Sequence, residues 1–395
     1  MPPNHFNALF QQVDRGLLAA SLKEMIAIKS ENPFDETPRE GYREQEMGDY
    51  LAERMSALGM AVTVKTIAPG RPNVFGFLKG SGGGPTLMLA GHMDTARTDG
   101  YADAYLVREK GGRIYGRGAC DMKAGLAAYL EVARLVKTAR IPLKGTLIVA
   151  GIADEEYQLL GSKDVGRNGP KATQGIIGEP TGLRVCPANK GRVSTFIRTI
   201  GKAAHSSVPE EGRNAIVHMA LVLQAFADFN DTLRRRPPHP LCGHGRFSPG
   251  VIHGGVQVNM VPDRCALEVD RRTLPGETKA QVYAELHARL APLKRSVPGF
   301  RYEITAPSWF VPPNAISSDE PVVRSLLAAH RRVLKRQTAV SAFAAGSDAP
   351  HLGFPTVVCG PGAIAQAHSN REYVSIAQLA AAAAMYLWTT LDLLG

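Results

Sequence analysis

The stretch Thr86-Leu-Met-Leu-Ala-Gly-His-Met-Asp-Thr95 narrows the choice of fold more than any other. Residues 86–90 are a short apolar run of the kind that forms a strand buried on both faces, as in the parallel sheets of α/β proteins. Such sheets present ligands at the carboxyl ends of their strands. Here the run ends in Gly91, His92 and, two positions on, Asp94. A His delivered to a strand end with an acid nearby has the composition of a metal ligand and its orienting partner. A buried structural His beside a turn Asp has the same composition, and this stretch alone does not choose between them.

The rest of the chain repeats the pattern. Residues 16–28 predict an amphipathic helix that stops near Ser30-Glu-Asn-Pro33, where Pro forbids continuation. Residues 42–58 predict a second helix ending at Gly59. Ala61–Ile67 alternates as an edge strand does, and Asn73–Leu78 predicts another strand. Gly80–Gly84 is a tight connection; no Lys-Ser or Lys-Thr follows its glycines, so it is not a phosphate loop. Gly116-Arg-Gly-Ala-Cys-Asp-Met-Lys-Ala-Gly125 leads into a helical run with Leu126, Leu130, Ala133 and Val136 on one stripe. Asp121 sits at that helix start, where an Asp either caps or, with both oxygens used, bridges two metals. The strand Gly145–Gly151 runs into Asp154-Glu155-Glu156, three acids that repel one another unless a cation is near or the turn is solvated. Gly175–Gly178 ends in Glu179, and Phe354–Gly360 precedes a loop holding His368.

His92, Asp121, Glu156, Glu179 and His368 thus each follow a predicted strand or open a helix. Imidazoles and carboxylates suit zinc or a similar divalent ion, with cobalt or manganese as alternatives. Two His and three acids, one shared, can hold two ions roughly 3.5–4 Å apart, the equipment for amide hydrolysis. Glu155, left over beside a ligand, is the expected general base.

Composition excludes other classes. A chain of 395 residues predicts two domains. The net charge of +10 raises nucleic acid as a partner, but the basic residues are dispersed and Arg234-Arg235-Arg236 lacks interleaved aromatics. No nucleic-acid partner is expected, and the positive field would instead draw in an anionic substrate. The five Cys are odd in number and widely spaced, which argues against a disulfide framework and suits a reducing cytoplasm. No signal peptide is visible at the N-terminus. The Ala- and Leu-rich tail 376–394 is long enough for a bilayer, yet it is broken by Gln378, Thr389, Thr390 and Asp392 and predicts a packed helix rather than a membrane span. Cys120 as a hydrolytic nucleophile lacks an assigned His–acid pair.

Together, GHMDT around His92, GRGACDMKAG around Asp121, ADEE at 153–156, GEPT at 178–181 and QAHSNREYV at 366–374 resemble the dinuclear zinc peptidases and deacylases, the family of acetylornithine deacetylase, succinyl-diaminopimelate desuccinylase, aminoacylase and carboxypeptidase G. Order and spacing match along nearly the whole chain. The resemblance implies one ion on His92, Asp121 and Glu179 and another on Asp121, Glu156 and His368. It implies Asp94 orienting His92 and Glu155 activating the water. The implied fold is an α/β catalytic domain (1–188 and 308–395), a mixed sheet with helices on both faces, plus an inserted α+β lid and dimerisation domain (189–307).

Within the lid, Arg192–Ile200 reads as a half-buried strand, Asn214–Phe229 as a long helix, Gly250–Val258 and Cys265–Arg272 as strands, 277–292 as a helix, and Arg234–Gly245 as a loop. By resemblance His205 stabilises the oxyanion, Asn259 contacts substrate and Arg272 binds a substrate carboxylate; Arg271 points to the opposite face. Gly346 and Ser347 resemble a pocket-lining loop. The implied reaction is removal of an acyl group from an N-acyl amino acid or a similar small amide bearing a carboxylate, by a homodimer. Metallo-carboxypeptidase or dipeptidase activity, or hydrolytic deamination of a small molecule, would use the same parts.

Overall fold

The computed structural model describes residues 3–34, 44–306 and 309–395. Positions 42–43 of the expected second helix, and the expected domain junction at 307–308, lie outside the described residues. The chain divides into two compact units, one made of Met1–Ala188, Ala315–Phe343 and Ser347–Gly395, the other of Asn189–Asn314 and Ala344–Gly346.

The first unit is built on a six-stranded mixed sheet. Its strands in chain order are β1 (Ala61–Ala68), β2 (Arg71–Lys79), β3 (Thr86–His92), β4 (Thr146–Ile152), β5 (Gln174–Ile177) and β6 (Thr356–Val358), and they lie side by side as β1-β2-β4-β3-β5-β6. β3, β4, β5 and β6 are parallel; β1 and β2 run antiparallel at one edge. The apolar run at 86–90 is therefore a central strand, with parallel neighbours on both sides and Leu87 to Ala90 buried. Register places Ala90 beside both Ala150 and Ile177, so the carboxyl ends of β3, β4 and β5 form one rim. β1 occupies the edge, as its exposed, alternating sequence requires.

Helices α2 (Arg15–Ala27), α3 (Glu44–Ala57), α4 (Lys123–Thr138), α5 (Leu160–Asn168), α6 (Pro321–Leu334) and α7 (Ile376–Leu394) pack around this sheet, and α1 (Pro3–Phe10) meets α7 through Phe6 and Trp388. Asp14 caps α2 through the N–H groups of Gly16 and Leu17, and Leu22, Met25 and Ile26 on its inner stripe are fully buried. Each such side chain contributes about 1.5–3 kcal/mol by leaving water. α4 is buried along almost its whole length and is pinned to β3 by the Tyr129 hydroxyl, which donates to the Ala90 carbonyl at 3.1 Å. Its approach is close at Gly125, where a Cβ would meet the Gly178 carbonyl oxygen at 3.0 Å. α7 is long and apolar enough to cross a membrane by length and composition, but 67% of that window is buried and it packs on α4 and α6. Its Tyr386 stacks obliquely on Tyr129 and donates to the Cys359 carbonyl at 2.6 Å.

The second unit is an antiparallel sheet in the order 246–254, 264–273, 191–200, 301–304, with helices Ala215–Ala225 and Lys279–Ser296 over the apolar face. Its core is Val193, Ile197, Met219, Val222, Phe226, Phe247, Leu267, Val269, Leu286 and Leu290. Two local expectations shift. The long helix from Asn214 ends at Ala225, and a second helix spans Phe229–Arg235, so the stretch expected as a loop begins only after Arg235. The bend lets Phe226 and Phe229 both pack on Phe247, at ring separations of 4.8 and 5.1 Å. The strand expected at 250–258 runs from Arg246 to Gly254, because Gly255 turns into the left-handed region (φ 77°) and takes the chain out of the sheet.

Candidate active site and metal centre

Every candidate ligand of the first unit lies at the rim formed by β3, β4 and β5. His92 is the last residue of β3 and is wholly buried. Its Nδ1 lies 2.9 Å from the Asp94 carbonyl oxygen, which makes Nδ1 a donor and turns Nε2 toward Asp121 Oδ1 (3.2 Å) and Glu179 Oε1 (3.8 Å). The orienting contact is thus the main chain of Asp94 rather than its carboxylate, whose Oδ1 is 3.5 Å from Nδ1. That carboxylate has another task. It accepts the backbone N–H of Glu155 and that of Glu156, each at 3.1 Å, and the Asn32 amide at 2.7 Å.

Asp121 does not cap α4. The residue preceding that helix is Met122, with no side-chain capping bond, and both Asp121 oxygens are turned to imidazoles. Oδ1 faces His92, and Oδ2 is 3.4 Å from His368 Nε2. His368 also lies 3.2 Å from Glu156 Oε2. The solvated-turn alternative for residues 154–156 does not hold either, since Asp154 and Glu156 are buried. Two backbone positions here are left-handed without being Gly, Asp154 (φ 64°) and His368 (φ 59°), a conformation held by the surrounding contacts.

Among the described residues two groups offer ligand atoms all within 4.8 Å of one another: His92, Asp121 and Glu179, and Asp121, Glu156 and His368. Three carboxylates packed this closely carry electrostatic consequences. Burial pushes the carboxyls of Glu179 and Glu155 well above the usual range, with His92 only partly offsetting it. Burial also works against ionisation of Asp121, but hydrogen bonds from His368 and His92 outweigh it and hold that carboxyl below the usual range. The negative field of Glu156, with Asp121 hydrogen-bonded beside it, lifts His368 to about 11. His92 is raised as well, against its own burial, by Asp121 and Asp94. The donor set fits divalent cations: Glu156 Oε1 and Glu179 Oε1 are buried without a hydrogen-bond partner, and two imidazoles with three carboxylates match the ligand chemistry of zinc and its neighbours.

The remaining sequence candidates fall in different places. His205 is exposed, its Nδ1 2.7 Å from Ser207 Oγ. Asn259 is exposed, with its carbonyl accepting the Ser206 N–H. Arg272 is one-third exposed and paired with Asp270 at 2.9 Å, whereas Arg271 is fully buried against Glu277 and Glu285. Gly346 packs against Val311 so closely that a Cβ would meet Val311 Cγ1 at 2.7 Å. Ser347 is buried, with Oγ accepting the Ala349 N–H at 3.3 Å. Sequence reasoning passed over Asn32, which joins Asp94 to Asp154, and Glu372, whose carboxylate accepts the N–H groups of Cys120 (3.0 Å) and Asp121 (3.2 Å). Neither sits at a strand end, the signal by which the ligands were found.

A mixed-sheet α/β unit with an added α+β unit, and two overlapping His–carboxylate groups at the strand ends, defines a metal-dependent hydrolase. The chain belongs to peptidase family M20/M25/M40, whose model matches residues 88–391, and is accordingly an enzyme acting on amide bonds. It is 32% identical over 340 residues to an acetylornithine deacetylase of Proteus mirabilis, an alignment covering 83% of this chain and 84% of that protein. Among solved structures it is similar to a tripeptidase from Staphylococcus aureus (TM-score 0.78, 24% identity, 95% of this chain and 98% of that one). It is also similar to an M20 family metallo-carboxypeptidase from Sulfolobus solfataricus (TM-score 0.76, 19% identity, 95% and 98%). At these identities the structural likenesses speak for the fold.

Proposed function

We propose that the enzyme removes the acyl group from an N-acyl amino acid or a similar small amide that carries a carboxylate. The observation that carries this reading is the pair of ligand groups sharing Asp121, with Glu155 next to Glu156. His92, Asp121 and Glu179 would hold one divalent ion and Asp121, Glu156 and His368 a second, zinc before cobalt or manganese. Their three negative charges suit two divalent ions better than one. When bound, such a pair polarises an amide carbonyl and lowers the pKa of the attacking water. Glu155 takes the proton of that water and delivers it to the leaving amine nitrogen. His205 donates to the oxyanion, and the Arg272 fork takes the substrate carboxylate. Asn259, Gly346 and Ser347 make up the remaining substrate contacts.

The deacylase reading is favoured over a carboxypeptidase, dipeptidase or deaminase by the likeness to an acetylornithine deacetylase along most of both chains. Purified protein loaded with zinc, cobalt or manganese should hydrolyse an N-acetyl, N-succinyl or N-formyl amino acid and lose that activity to a chelator. Turnover of dipeptides alone would overturn the assignment.

The enzyme works as a homodimer through its second unit, in a reducing cytoplasm that suits five buried Cys that form no disulfide. The support for the dimer is an apolar surface on that unit: Val256 and Val258 are 87% and 100% exposed, with Ile252, Val217 and Ile216 also exposed. Val258→Asp should convert a dimer to a monomer in sedimentation; an unchanged sedimentation coefficient would argue against this face.

A further inference from the structure

Glu372 receives hydrogen bonds from four residues of one turn. Its backbone carbonyl accepts the Gly116 N–H at 3.2 Å. Its Oε2 accepts from Arg117 Nη1 at 2.7 Å, and its Oε1 accepts the N–H groups of Cys120 and Asp121 at 3.0 and 3.2 Å. Glu372 is wholly buried and Arg117 nearly so. The neighbouring residues continue the link, since Tyr373 pairs with Tyr115 in a short antiparallel ladder. Four positions before Glu372 on the same loop stands His368, and the N–H that Oε1 holds belongs to the residue whose Oδ2 faces His368.

We infer that Glu372 is a positioning residue for the metal centre: it clamps the turn carrying Asp121 to the loop carrying His368 and so sets the direction of the one carboxylate the two ligand groups share. The inference rests on the two-ion reading above. The physical reason is geometric. A carboxylate that serves two ions must aim both oxygens at once, and a rotation of the main chain at Asp121 moves both away together. The backbone N–H is the only main-chain donor of Asp121, and in this buried turn its acceptor has to come from the protein. Glu372 supplies the acceptor. An ordinary buried ion pair would account for Arg117 and Oε2, but it gives no reason for Oε1 to take two consecutive N–H groups.

The two accounts separate in a background where the ion pair is already gone. Arg117→Met removes the buried cation. To it is added either Glu372→Gln, which keeps an oxygen for the Cys120 and Asp121 N–H groups, or Glu372→Ala, which leaves them without one. Wild type and the three variants are stripped with a chelator and titrated with Co²⁺, following heat, stoichiometry and the visible d–d spectrum. The expected result is that R117M and R117M/E372Q bind two ions with affinities within about 3-fold of each other. R117M/E372A should bind at least one ion about 10- to 100-fold more weakly, the range for loss of a residue that orients ligands, with an altered cobalt spectrum. Equal affinities and spectra in R117M/E372Q and R117M/E372A, with two ions in wild type, would overturn the role of Glu372 and leave the proposed function standing. A wild-type protein that takes up no cobalt would overturn both.

Discussion

The carboxylate of Asp94 accepts the backbone N–H of Glu155 at 3.1 Å through Oδ1, and that of Glu156 at the same distance through Oδ2. The residue two positions beyond His92 therefore places both the proposed base and a proposed ligand on a different strand end. Asn32 donates to the same carboxylate, while its own amide oxygen is engaged by the Phe34 N–H. In Asp94→Asn either amide orientation sets a donor against a donor. We expect the substitution to cost about 1–3 kcal/mol of stability and to lower metal affinity about 10-fold or more. Denaturant titration with and without metal checks both; unaltered metal affinity would remove Asp94 from the support of the centre.

Glu155→Gln should leave metal content unchanged and lower kcat by about 10²- to 10⁴-fold. Burial holds the Glu155 carboxyl above its ordinary value, and a base must be unprotonated to act. In wild type kcat/KM should therefore rise with pH through a limb that reports this carboxyl. The residual activity of the variant should lack this limb. A variant of near-normal rate would show that another group is the base.

Loading the centre should release protons. Without a cation His368 titrates at about 11, so its ring is charged at pH 7, and Asp121 and Asp94 raise His92 above its ordinary value. Ligation requires neutral imidazoles, and the His368 proton at least should leave as the centre is loaded. Apparent affinity should accordingly fall as pH is lowered. The metal-free protein behaves in the opposite sense: the pairing of His368 with Glu156 and Asp121 stabilises it fully below about pH 6.5, the ordinary His value, and is lost as pH rises toward 11. Calorimetric titration in buffers of different ionisation enthalpy measures the release; a buffer-independent heat would rule it out.

Arg271 and Arg272 are neighbours with different duties. Arg271 is buried against Glu277 at 2.8 Å, and Arg271→Ala should lower stability by about 3 kcal/mol with a lower Tm. Arg272 lies on the opposite face of its strand, and Arg272→Ala should raise KM for a carboxylate-bearing substrate with little change in Tm. Thermal melts and steady-state kinetics on the two variants separate the duties; an unchanged KM in Arg272→Ala would withdraw it from substrate binding.

The candidate ligands were legible because each follows a predicted strand or opens a predicted helix: a strand such as Thr86–Ala90 has a period and composition of its own, and His92 interrupts both. The order of the strands was not legible. β2 and β3 are separated by a short connection, yet β4 lies between them, and no local signal in the connection specifies that order. Asn32 and Glu372 were invisible for a related reason. They act on backbone groups far away in sequence, Glu372 on positions 120 and 121, and a buried acceptor for a main-chain N–H requires no particular neighbours in the chain. The bend at 226–228 was missed because Phe226 and Phe229 have helical spacing; what separates them is Phe247, on another element.

The two imidazoles that face Asp121 differ in one respect that bears on handling the enzyme. His92 is sealed in the interior, whereas the His368 side chain is 57% accessible. An ion seated on the His368 side would meet competing solvent and chelators first, and one seated on the His92 side would depart last. Preparations of this enzyme treated with a chelator should therefore pass through a half-emptied form.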